Sequence, residues 1–173
     1  MVGSALLILA TGCVPIVAAR ATDASAWRRI ETDHIALSTD LESREARGIA
    51  LELERTYLTL QRLAFPYPLH GPTHVEVVVF GRRSDYLSLR PEEPEGFFSD
   101  DGLLSLERVP TLVFWGRPRF AVRAMILHEL THWFLRMHHG QAPSWIHEGL
   151  ADYFSTMEIR DDEAVLGRKP GVT

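Results

Sequence analysis

The stretch MILHELTHWF, residues 125–134, constrains this chain more tightly than any other feature. His128 and His132 stand four apart, so on a helix they point the same way, about 40° from one another. Val122, Ile126, Leu130, Trp133 and Met137 fall on the other side, between about 120° and 200°, as an apolar stripe that needs burial. A helix here carries its core contact on one face and an imidazole pair on the other. Ala121, Ala124 and Leu135 flank the pair and are expected to leave room for something to approach. A core histidine would sit inside the stripe, and a solvated pair would sit among charges; this pair does neither. Glu129 falls at about 100°, on the edge of the histidine face.

A second stretch, PSWIHEGLADYF (143–154), follows closely. On the same helical wheel Glu148 and Asp152 lie about 40° apart, with Ile146 and Leu150 behind them. Ser144 is the expected cap of this helix, after Pro143. Two helices are expected, over 118–138 and 144–158, and the short connection MHHGQAPS lets the second fold back antiparallel on the first. Glu148 would then face the two histidines. Zinc takes neutral imidazole nitrogens at about 2.0–2.1 Å in a tetrahedral array, and a catalytic site keeps one position open for water. His128, His132 and Glu148 form such a ligand set, with Glu129 beside it as general base. A ligating histidine usually donates its other N–H to a carboxylate, the role expected of Asp152 toward His128.

The rest of the chain reads as strands and one long helix. RRIETDHIALSTD (28–40) suggests a strand or short hairpin. From Leu41 to Leu63 the apolar residues Ile49, Leu53, Tyr57 and Leu60 keep helical spacing, until FPYP ends the run. THVEVVVFG (73–81) is a buried strand, RRSDYLSLR a short helix or turn, and PEEPEG a loop. GFFSDDGLLSL carries an Asp-Gly hairpin signal. TLVFWG (111–116) is another strand, either an edge that pairs with an extended peptide or a plain interior strand. The last residues, RDDEAVLGRKPGVT, are polar and expected to fray. Strands first and helices after give the α+β class: a small mixed or antiparallel sheet with a long N-terminal helix, then the histidine helix and the glutamate helix. His34, His70 and His74 read as incidental, and Trp115 and Trp133 as core. His147 points about 100° away from Glu148 and reads as a helix-surface residue.

Composition closes off several classes. Apolar residues make up 46% and charged ones 24%, which fits a globular domain. A net charge of −5 gives no reason to propose a nucleic-acid partner. The one cysteine, Cys13, allows neither an intrachain disulfide nor a cysteine zinc cluster. Residues 1–19 carry no charge, and Gly12 and Pro15 interrupt the apolar run, so 1–21 reads as an export signal rather than a membrane span. ATGC resembles a lipoprotein box, with cleavage before Cys13 and lipid attachment there; Ala19-Arg20-Ala21 fits ordinary cleavage before Thr22. The expected localisation is exported: the cell envelope, lipid-anchored or periplasmic, or secreted.

HELTH followed by PSWIHEGLADYF resembles the gluzincin metallopeptidases, the thermolysin-like clan. P-x-W-x-x-E-G-x-A-x-Y-F is similar in particular to the peptidase-MA-like domains of bacterial envelope proteins. GFFS and TLVFW, ahead of the histidine helix, keep the same order of elements. The resemblance implies a zincin-like domain over 22–160, with 161–173 as a polar tail cut short relative to the gluzincin pattern. It implies Zn2+ held by His128, His132 and Glu148, Glu129 as catalytic base, Asp152 behind a ligand, and a peptide or protein substrate. Gluzincins also supply a later His or Tyr that stabilises the oxyanion. No such residue stands out in RDDEAVLGRKPGVT; Tyr153 falls on the wrong side of its helix, and His138 and His139 lie more than a turn past the second ligand. The alternative function is a non-catalytic envelope lipoprotein whose zinc site is structural or vestigial, acting as a binding or assembly module.

Overall fold

The computed structural model describes residues 27–67, 73–93, 95–99, 109–139, 142–160 and 163–167. The elements in chain order are β1 (Arg28–Glu31), β2 (Ile35–Thr39), α1 (Ser43–Ala64), β3 (Val75–Phe80), α2 (Arg83–Leu89), β4 (Gly96–Ser99), β5 (Thr111–Trp115), α3 (Phe120–His139), α4 (Ser144–Ser155), β6 (Glu158–Arg160) and β7 (Glu163–Val165). The class is α+β. Cys13 and the export segment, His70, and the Asp101-Gly102 turn lie outside the described residues. Among the described residues no helix is long and apolar enough to cross a membrane.

One sheet has the order β1-β2-β3-β5-β4. The central strands β2, β3 and β5 run parallel, and β1 and β4 close the edges antiparallel. Parallel neighbours need a crossover, and α1 supplies the one between β2 and β3. TLVFW is therefore an interior strand between β3 and β4, not an edge. Its unbroken apolar run matches burial on both faces.

Alternation along the strands sorts the core into two parts. Val75, Val77, Val79, Leu112 and Phe114 face α1 and α3, and meet Ile49, Leu53, Tyr57 and Leu60 of α1. Phe80, Phe97 and Val113 face the opposite way and cover Tyr86 of α2. The long helix ends where Phe65, itself buried, precedes Pro66. Gly116, at φ 65°, makes the left-handed turn that carries the chain from β5 toward α3; its N–H donates to the Phe80 carbonyl at 2.8 Å.

The C-terminal end differs from expectation. α4 stops at Ser155, and 158–160 and 163–165 form an antiparallel hairpin where a frayed polar tail was expected. Met157 is buried, and Ile159, Ala164 and Leu166 pack on the main core. Spaced widely among polar residues, these apolar groups are too few to show as a period in the sequence. Ser144 is also not a cap. It is the first helical residue, Pro143 holds the cap position, and the Pro143 carbonyl accepts from Ile146 N–H at 2.9 Å.

Candidate metal centre

α3 is the wall on which the site is built. Val122, Ile126, Leu130 and Trp133 are buried as the stripe requires, and Met137 packs partly buried beside them. Leu127, Phe134 and Leu135 are buried too, so the helix is enclosed on more than one side. Leu135 was expected to border open space on the histidine face; it is closed off instead, and the free side lies toward Ala121 and Ala124. The β4 edge passes close to this helix. A Cβ on Gly96 would sit 3.1 Å from Met125 Cε and 2.9 Å from the Val113 carbonyl oxygen, so only glycine allows that approach.

α4 packs against α3, held by buried Ala151 and by partly buried Leu150 and Phe154. Its outer face carries the carboxylates. Glu148 Oε2 lies 3.6 Å from His128 Nε2 and 3.6 Å from His132 Nε2, and the two imidazole nitrogens are 3.0 Å apart. Asp152 Oδ1 lies 3.3 Å from His128 Nδ1. The structure thus brings His128, His132, Glu148 and Asp152 together in the expected arrangement. Glu129, half buried, follows His128 directly on α3.

The donor set fits a zinc ion. Tetrahedral ligands with bonds of about 2.0–2.1 Å stand roughly 3.4 Å from one another. The three ligand atoms form a triangle of 3.0, 3.6 and 3.6 Å, close to that edge length. An Nδ1–H donated to Asp152, 3.3 Å away, would leave the His128 Nε2 as a lone-pair nitrogen. Burial, then the neighbouring His128, push the His132 pKa below the ordinary histidine value, while Glu148 pulls the other way. A depressed value keeps the ring neutral, the form a metal requires.

The remaining histidines and aromatics divide differently from expectation. His34 is no bystander: its Nδ1 meets Glu54 Oε1 at 2.6 Å and its ring stacks on Tyr57 at 4.3 Å, tying the β1–β2 turn to α1. Trp133 is core; Trp115, partly buried, packs on the Phe80, Tyr86, Phe97 and Val113 cluster with the guanidinium groups of Arg83 and Arg119 over its ring at 5.7 and 4.4 Å. His138 stacks on Phe65 at 5.5 Å, six residues and about 9 Å along the axis beyond His132. Tyr153 turns toward the hairpin, 3.6 Å from a Cβ built on Gly167. Neither joins the His128, His132 and Glu148 group. His147 does approach them, with its ring beside that of His132. The helical wheel put it off the Glu148 direction and could not show that α3 lies on that side.

A cavity of about 510 Å³ opens along α3 one turn ahead of His128, bounded by Ala124, Leu127, Phe120, Arg123, Glu52 and Met157 among others. Searches against protein-family models and against curated proteins returned no match for this chain.

Proposed function

We propose that this chain is a zinc-dependent peptidase of the gluzincin type, acting on a peptide or protein outside the cytoplasm. The observation that carries the proposal is the convergence of His128 Nε2, His132 Nε2 and Glu148 Oε2 on one point, with Glu129 on the adjacent helical position. A zinc ion bound there supplies Lewis acidity toward a carbonyl and toward water. Glu129 takes the proton from the attacking water and delivers it to the leaving amine nitrogen. Asp152 fixes the His128 tautomer. Residues 1–21 serve as the export signal in this reading, with lipid attachment at Cys13 as one processing route.

The test is metal content and peptide hydrolysis for the wild type and Glu129→Gln. The expected result is one zinc in both proteins, with hydrolysis in the variant lower by about 10²–10⁴-fold. A second reading, a non-catalytic envelope module with a structural zinc site, draws on where two of the oxyanion candidates lie: His138 stacks on Phe65, and the Tyr153 ring lies against Phe154 and beside Gly167. A wild type that holds zinc, cleaves no peptide and matches Glu129→Gln in every respect establishes that second reading.

A further inference from the structure

Two imidazoles that serve one metal ion each need something to hold the ring plane, because the histidine χ2 torsion is broad and an unsupported ring swings its Nε2 away from the focus. His128 has Asp152, 3.3 Å from its Nδ1. His132 has no equivalent. Its Nε2 faces His128 and Glu148, and among the described residues no group accepts a hydrogen bond from its Nδ1. What His132 has is a second ring. The His147 imidazole lies with its centroid 5.9 Å from that of His132 and its plane 18° from parallel. On another side the His128 ring meets His132 edge-on, at 4.7 Å and 75°. His147 is half buried and precedes Glu148 on α4; its backbone N–H donates to the Pro143 carbonyl at 3.3 Å, and its ring makes no hydrogen bond among the described residues. Ring contact with His132 is the one specific interaction its side chain has there.

We infer that His147 is a positioning residue for the metal centre: its ring, lying alongside His132, fixes the plane in which His132 Nε2 meets the metal, as Asp152 does for His128. The inference rests on the metal-centre reading and adds a residue to it. It also ties the two helices together. α4 delivers Glu148 to the focus and, from the preceding position, steadies a ligand that α3 delivers. A stack needs a flat ring at position 147 and does not need a ring nitrogen, which separates it from a hydrogen-bonding role.

The experiment uses the full chain stripped of metal. Zn2+ affinity is measured by competition with a chromophoric chelator, and Co2+ is added separately to read ligand geometry from its visible spectrum. The proteins are the wild type, His147→Ala, His147→Phe and His147→Gln. Loss of a ligand-orienting partner costs about 10–100-fold in metal affinity. The expected result is one Zn2+ per chain in the wild type and about tenfold weaker binding in His147→Ala, at unchanged melting temperature of the metal-free protein. His147→Phe recovers most of the loss and the wild-type Co2+ spectrum; His147→Gln recovers neither. Wild-type affinity in His147→Ala overturns the inference, as does rescue by Gln rather than Phe. A wild type that takes up no zinc removes the metal-centre reading itself, a result distinct from an intact centre indifferent to position 147. Should His147→Ala fail to fold, the Phe–Gln comparison carries the test.

Discussion

α3 and α4 contribute to the same site from opposite conditions. The side chains that α3 supplies, His128 and His132, are 25% and 13% exposed; those that α4 supplies, Glu148 and Asp152, are 59% and 78% exposed. α3 is enclosed by the sheet, α1 and α4, and its imidazoles take their direction from that packing. α4 rests on a narrower strip, with Ala151 as its one fully buried residue. The imidazole pair is therefore set by the core, whereas the carboxylates arrive only when α4 is docked. Fold stability should track α3, and metal affinity should track both helices.

The largest effect expected is on the α3 side. Phe134 is fully buried, with its ring 5.0 Å from Tyr57, 5.0 Å from Phe65 and 5.0 Å from Trp133. Phe134→Ala should cost about 3–5 kcal/mol, read by chemical denaturation, because the rings around it cannot collapse into the gap. Metal binding should fall with it. On the α4 side Ala151→Leu inserts volume where the helix meets the core and should cost about 1–3 kcal/mol. Here the two readouts separate: Zn2+ affinity should drop well beyond the loss of stability, since α4 shifts while α3 stays in place. Equal losses for both substitutions would mean that the helices form one unit and that the contrast between them is only one of exposure.

The same contrast governs how much could be read from the residues alone. α3 and α1 were legible because a long buried helix repeats its apolar positions: Ile49, Leu53, Tyr57 and Leu60 are buried as their spacing requires. The clustering of His128, His132 and Glu148 was legible because one helical turn fixes how His128 relates to His132 and Glu148 to Asp152. Partners distant in sequence were not. His147 meets His132 only once α4 lies on α3, and His34 meets Glu54 across twenty residues, so neither contact leaves a local period. β6 and β7 are three residues each, too short to alternate visibly. For β5 the signal was present in TLVFW itself, whose lack of polar alternation suits an interior strand.

Within the site, Asp152→Asn tests whether an exposed carboxylate can still orient a ligand. The amide keeps the shape and can still accept from His128 Nδ1–H, but removes the charge that makes the imidazole a stronger donor to metal. Zn2+ affinity should fall by about tenfold with the fold intact, and circular dichroism should superimpose on the wild type. Unchanged affinity would mean that solvent screens Asp152 and that α4 contributes through Glu148 alone.

The smallest effect separates the exposed carboxylates from an enclosed one. Glu54 of α1 is 13% exposed. Burial alone would raise its pKa, but hydrogen bonds from His34 and Thr32 outweigh that, and it lies below the ordinary value of 4.5. A carboxylate with a lowered folded-state pKa stabilises the fold in full above its unfolded value and loses that contribution as pH falls through the folded one. The Glu54 contribution is therefore present at neutral pH and disappears on acidification below about pH 4.5. Between about pH 5 and about pH 3 the stability of Glu54→Gln should fall less steeply than that of the wild type, because the variant has no such charge to lose. Curves for Glu54→Gln and the wild type that run parallel would show that the fold draws no stability from the charge of this enclosed carboxylate.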